Sequence, residues 1–295
     1  MNNTLEILEV GMRDGLQNIN TNLKIKDRIA LVKGLISAGI KNIQLASFVN
    51  PKRIPQMACA EELIREAPLK TGVHYSGLVF NQEGVDRALS SGIKKIETSI
   101  SVSETYNKMN LGMDIPKAKE NLNNIIRMAE SNNLKIRAGL QCVWGCYYDG
   151  IVSQKIIFKM LSDIVDMGVK NISLCDTLGQ AKPRDISNLL KKIQKHFQGI
   201  QIYMHLHNSH GQGLKNLIAS LQFKIKGIDT SLGGIGGSPF IKGSKGNIAT
   251  EDAVNYLHNN GISTGIDTRK IDQTVKKLEN IIGSSHFTAQ KYQNN

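Results

Sequence analysis

The chain has 295 residues, 40% of them hydrophobic, enough for one large core or two small ones. No run of about 18 apolar residues occurs, so no membrane span is expected, and four scattered cysteines (Cys59, Cys142, Cys146, Cys175) argue against a disulfide framework. The net charge of +12 comes from lysines spread over expected helix surfaces, as in "LLKKIQKHF" and "TVKKLEN". Without a recognition motif, that pattern points to a solvated surface or an anionic small substrate and away from nucleic acid. "MNNTLEILEV" lacks a basic segment followed by an apolar one, so a cytoplasmic protein is expected.

From the N-terminus onward, a short β-branched run ends in small or polar residues and an amphipathic segment follows. The runs are "LEILEV" (5–10), "NIQLASF" (42–48), "VHYSGLVF" (73–80), "KIETSISVS" (95–103), "KIRAGLQCV" (135–143), "NISLCDT" (171–177), "IQIYMHLH" (200–207) and "GIDTSL" (227–232). In the first intervening segment, 24–39, Ile25, Ile29, Val32 and Ile36 share a helical face, and Gly39 sits at the expected C-cap. The turns "SAGIKNI", "SSGIKKI" and "DMGVKNI" repeat one helix-to-strand signal. Eight strands alternating with helices predict an α/β fold, a (β/α)₈ TIM barrel. A doubly wound sheet would carry its glycine fingerprint after the first strand, where "GMRDGLQN" stands instead. A single domain spanning 1–295 is expected, with the barrel at about 4–248 and additional C-terminal helices at about 249–285.

A barrel places chemistry at the C-terminal ends of its strands. Arg13, Asp14 and Gln17 follow the first run, Asp176 the sixth, and "HLHNSHGQG" ends the seventh. The eighth is followed by "GGIGGSPF" (233–240) and then Asn247. His205 and His207, two apart on a strand, point to one side. Strand eight alone separates strands one and seven in a closed barrel, so Asp14 and an amide oxygen of Asn247 could complete a mixed nitrogen and oxygen site. Such donors suit Mn²⁺, Mg²⁺, Co²⁺ or Zn²⁺. Arg13 would set a permanent cation beside a developing enolate oxygen. Asp176 reads either as a general base or as a partner that orients a metal ligand, or as a turn and N-cap residue in "CDTLG". Cys142 and Cys146 read as packing residues, and Trp144, Tyr147 and Tyr148 as a loop wall.

Long motifs in one order carry a resemblance over nearly the whole chain: "VGMRDGLQN" (10–18), "ASFVNPKRIPQMA" (46–58), "QCVWGCYYDG" (141–150), "CDTLGQAKP" (175–183), "HLHNSHGQGLKN" (205–216) and "GGIGGSPFIKGSKGNIATED" (233–252). The chain resembles the 3-hydroxy-3-methylglutaryl-CoA lyase family. The resemblance implies a divalent metal, Mg²⁺ or Mn²⁺ (with Zn²⁺ or Co²⁺ as alternatives), on Asp14, His205, His207 and Asn247. It implies catalytic roles for Arg13, Asp176 and the glycine-loop residue Ser238, and substrate contacts at Gln17, Gln44, Ser47, Gly236 and Gly237. The implied reaction is retro-Claisen cleavage of an acyl-CoA substrate to acetyl-CoA and a keto acid, in a homo-oligomer such as a dimer.

Three positions depart from the family pattern. Ser238 replaces a catalytic cysteine, Gln44 a glutamate and Asn208 an aspartate. A thiol with pKa about 8.5 exchanges a proton near neutrality and an aliphatic hydroxyl does not without strong activation. The expectation is a lyase with metal and substrate binding retained and turnover lowered. The alternatives are an aldolase or condensing enzyme on the same scaffold, or a catalytically weak CoA-ester-binding homologue.

Overall fold

Each β-branched run forms a strand in the computed structural model, which describes residues 5–21, 23–237 and 246–292. The strands are β1 (Glu6–Glu9), β2 (Asn42–Ser47), β3 (His74–Leu78), β4 (Lys95–Ser101), β5 (Lys135–Gln141), β6 (Asn171–Asp176), β7 (Gln201–Leu206) and β8 (Ile225–Thr230). They pair in sequence order, all parallel, and the barrel closes where Glu6, Ile7, Leu8 and Glu9 register against Gly227, Ile228, Asp229 and Thr230. The predicted (β/α)₈ barrel is the fold found.

The helices are α1 (Ile25–Ser37), α2 (Ala60–Glu66), α3 (Gln82–Ser90), α4 (Glu104–Leu111), α5 (Ile115–Ser131), α6 (Gln154–Asp166), α7 (Pro183–His196), α8 (Gly213–Ser220), α9 (Thr250–Asn259) and α10 (Thr268–Ile282). Each turns one apolar stripe inward. On α5 the buried residues are Ala118, Leu122, Ile125, Ile126 and Ala129, the three- and four-residue spacing of one helical face. Side-chain caps fix several starts: Asn81 accepts from the Gly84 N–H, Asp114 from Lys117 and Ser153 from Ile156. No helix among the described residues is long and apolar enough to cross a membrane.

The repeated turn has one physical cause. Gly39, Gly92 and Gly168 follow α1, α3 and α6 with φ of +99°, +82° and +93°, a region that penalises a Cβ. Each lies three residues before the next strand, so one left-handed cap sends the chain into β2, β4 and β6. After β8, α10 packs back on α1, with α9 between β8 and α10 in the chain. Gly34 lets α10 approach α1 closely, since a Cβ there would stand 2.5 Å from Thr274 Oγ1. The Asp267 N–H bonds to the Ala38 carbonyl at 2.7 Å and fastens the same contact.

Candidate active site

The mouth of the barrel gathers residues from distant parts of the chain. After β1 the backbone makes one wide helical turn, Gly11–Gly15, which carries Arg13 and Asp14. His205 lies in β7, and His207, just past its end, forms a bridge to Asn247. Among the described residues, Asp14, His205 and His207 bring one ligand atom each to within 4.8 Å of one another. Asn247 Nδ2 donates to Asp14 Oδ2 at 2.8 Å and so joins the group. Arg13 bonds Asp14 through Nη1 and Gln44 Oε1 through Nε, and Gln17 Nε2 donates to Asp14 Oδ1 at 3.1 Å.

The donors fit a cation. His205 Nε2 and His207 Nε2 are 3.1 Å apart. His207 Nδ1 and Asn247 Oδ1 are buried without a hydrogen-bond partner. A half-turn of the Asn247 amide would put Oδ1 beside Asp14, where two oxygens are stable together with a cation between them. Burial pushes the Asp14 carboxyl up, but Arg13 and the two imidazoles outweigh it and hold it below the usual carboxylate range. Burial, with the neighbouring His205, lowers His207 to about 4, which favours the neutral ring that a metal requires.

Comparison with known proteins shows the family. The family model described as HMGL-like matches residues 4–278. The chain belongs to the HMGL-like family. It is 35% identical over 277 residues to hydroxymethylglutaryl-CoA lyase YngG of Bacillus subtilis, covering 94% of this chain and 93% of that one. A crystal structure of the Bacillus subtilis HMG-CoA lyase superposes with a TM-score of 0.94 at 33% identity, covering 99% and 98% of the two chains. An HMG-CoA lyase from Acinetobacter baumannii in complex with coenzyme A and 3-methylmalate matches with a TM-score of 0.91 at 30% identity, covering 95% and 92%.

In this HMGL-like chain a cavity of about 370 Å³ opens beside the cluster. Arg13, Asp14, Gln17, Gln44, Ser47, His205, His207 and Gly237 line it. Phe48, Ile54, Leu78, Phe80 and Met113 add an apolar wall. Gly236 has φ +133°, and a Cβ there would stand 2.5 Å from Asn247 Nδ2 and 3.3 Å from Asp14 Oδ2. Only a residue without a side chain fits that close over the cluster. The Gly237 carbonyl accepts from Asn18 Nδ2 and ties the loop to the turn after β1. Ser238 lies outside the described residues.

Asp176 sits differently. Ser173, Cys175 and Thr177 line the cavity, and Asp176 lies between them on the other face of the alternation. Its Oδ1 accepts from the Gln180 N–H at 3.2 Å and its Oδ2 from Ala181 at 3.1 Å. That is the turn-holding arrangement, and the carboxyl does not line the cavity. Burial pushes it up to about 6 against the backbone N–H groups that lower it. Cys142 and Cys146 are buried and unbridged, and neither lines the cavity.

Buried charged residues that escape the sequence reading include Glu97, Arg137, Asp229 and Glu9. Glu97 on β4, Arg137 on β5 and Asp229 on β8 form a belt across the interior, each at most 4% exposed. Arg137 grips Asp229 with Nη1 to Oδ1 at 2.6 Å and Nη2 to Oδ2 at 3.0 Å, and bonds Glu97 Oε2 through Nε at 2.9 Å. Ser76 Oγ donates to Glu97 at 2.5 Å. The signal was a charged residue in the interior of each apolar run, the Glu of "KIETSI", the Arg of "KIRAGL" and the Asp of "GIDTSL". The fourth is Glu9, fully buried under the root of the glycine loop. Its Oε1 accepts from the Gly11 and Leu232 N–H groups at 2.8 and 3.0 Å, and its Oε2 accepts from Thr250 Oγ1 at 2.5 Å. Burial pushes the Glu9 carboxyl up to about 7 despite those donors.

Proposed function

We propose that the protein is a divalent-metal-dependent carbon–carbon lyase that cleaves 3-hydroxy-3-methylglutaryl-CoA, or a related 3-hydroxyacyl-CoA, to acetyl-CoA and a keto acid. The observation that carries this reading is the convergence of Asp14, His205, His207 and Asn247 beside Arg13 at the mouth of the cavity. The names of the relatives, and the coenzyme A bound to the Acinetobacter baumannii enzyme, support an acyl-CoA substrate.

Asp14, His205, His207 and Asn247 would hold the metal, Mg²⁺ or Mn²⁺ by the family resemblance, in a mixed oxygen and nitrogen donor set that also suits Zn²⁺ or Co²⁺. When bound, it supplies a Lewis acid toward substrate oxygens. Arg13 is held by Asp14 and Gln44 and faces the cavity, so its charge meets the negative charge that builds on the thioester oxygen. The substrate hydroxyl loses its proton, the electron pair on that oxygen becomes the new ketone bond, and the C2–C3 pair passes to the thioester as an enolate. Protonation at C2 completes acetyl-CoA. Asp176 is our candidate acceptor of the hydroxyl proton, in a step that needs the Gly179–Ala181 turn to release one of its oxygens. Gly236 and Gly237 let the loop lie close over the substrate. Ser238, at the cysteine position of the family, is a weak proton donor and sets a low turnover.

The test is acetyl-CoA release from 3-hydroxy-3-methylglutaryl-CoA with Mg²⁺ or Mn²⁺. Slow turnover is expected, rising roughly tenfold or more in Ser238→Cys. Absence of turnover in both forms, with metal and acyl-CoA bound, would refute the lyase reading. Asp14→Ala and His207→Ala should each lose metal; retention of full metal content would refute the site.

A further inference from the structure

We infer that Asp229 is a positioning residue that fixes His205 in one tautomer, with its Nδ1 protonated and its Nε2 lone pair aimed at His207 and Asp14. This inference rests on the reading of His205 and His207 as cation ligands. Asp229 and His205 are register partners on the adjacent strands β8 and β7, and Asp229 Oδ2 lies 3.0 Å from His205 Nδ1. An ionised carboxylate only accepts, so the proton between them belongs to the ring. The forked grip of Arg137 keeps Asp229 ionised and prevents it from turning away, and Glu97, itself held by Ser76, fixes Arg137 from the other side. The belt carries two carboxylates against one guanidinium, so it also leaves net negative charge next to the cation site.

The two histidines are therefore unequal. His205 has its partner, and the buried Nδ1 of His207 has none. With His205 Nε2 bare, the 3.1 Å contact between the Nε2 atoms requires the His207 proton to sit on Nε2 in the metal-free protein. Loading a cation then shifts that proton to Nδ1 of His207 and leaves His205 unchanged. No net charge is gained or lost in this exchange; one ring changes tautomer and the other does not.

The experiment is ¹⁵N histidine NMR of the chelator-treated full chain before and after Mg²⁺, with His205 assigned through His205→Gln, alongside Mn²⁺ binding by titration. Wild type should show His205 as the Nδ1–H tautomer in both states and His207 switching from Nε2–H to Nδ1–H. In Asp229→Asn the single amide oxygen goes to Arg137 and the NH₂ faces His205. That forces the His205 proton to Nε2 and weakens Mn²⁺ binding by about 10- to 100-fold. An Nε2–H or mixed tautomer for His205 in wild type overturns the proposal, whether or not the variant folds. So does weakened Mn²⁺ binding in Asp229→Asn with the wild-type tautomer retained, which would mark a general structural effect. Wild-type Mn²⁺ affinity in Asp229→Asn overturns it as well. Failure of wild type to bind Mn²⁺ or Mg²⁺ would instead refute the metal-site reading and leave the tautomer result to stand by itself.

Discussion

Replacing Glu9 with Gln converts a buried titrating group into a fixed neutral one of the same shape. The amide oxygen can keep both backbone N–H donors, Gly11 and Leu232, while its NH₂ donates to Thr250 Oγ1, which also lies 2.8 Å from Thr230 Oγ1. The carboxyl is raised by burial from 4.5 to about 7 in the folded state. Above pH 7 it is ionised in both folded and unfolded chains, and the folded state carries the full penalty. As pH falls from 7 toward 4.5 the folded state takes up the proton first and the penalty shrinks; below 4.5 both states are protonated and it is gone. At about 1.4 kcal/mol per pH unit, the penalty at pH 8 is about 3 kcal/mol. With an unfolding entropy of roughly 2 cal/mol/K per residue, this corresponds to about 5 °C in Tm for a chain of this size. Scanning fluorimetry from pH 5 to 8.5 should show the difference in Tm between variant and wild type growing by about 4 °C toward high pH, the remainder being already present at pH 5, and levelling above 7. A constant offset across that range would refute the reasoning.

Gly236→Ala should lower Mn²⁺ affinity by at least about tenfold with little change in Tm, because its φ and the nearby Asn247 both resist a Cβ; an unchanged titration would count against close approach of the loop. Gln44→Glu adds a carboxylate against Arg13 Nε. In the Ser238→Cys background it should raise kcat several-fold, and a fall would show that Arg13 needs its charge unshared. Gly34→Ala should destabilise the fold by about 1–3 kcal/mol in urea unfolding, since its Cβ meets Thr274. Thr274→Ala in the same chain should recover most of that loss, and strict additivity of the two changes would refute the close contact of α1 and α10.

The fold was readable because its signals are local. Periodicity, the three glycine turns and the eight apolar runs each lie within a few residues of what they specify, and β2, β4 and β6 start where those turns direct them. The cluster was readable for a related reason: His205 and His207 share a strand face, and barrel closure leaves only β8 between β1 and β7. The belt was not readable in the same way. Arg137 and Asp229 are 92 residues apart, and nothing local to "KIRAGL" or "GIDTSL" says which charges will face each other inside the barrel. Asp176 marks another limit. Its motif fits a turn and a base equally well, and the choice depends on which side of β6 the carboxyl leaves, which at a strand end is set by the following turn.

Pairing of β1 with β8 has a consequence for how the chain is made. Residues 6–9 leave the ribosome before the other strands of the barrel and wait for residues 225–230 before their outer edge is covered. Throughout that interval the growing sheet is open, and an uncovered parallel edge is a template for another chain. The strand left waiting is short, four residues with Glu at each end, which limits what can pair with it. The same delay means that α10 docks on α1 only after all eight strands have been made, so removal of α10 would expose the first-made helix of the barrel.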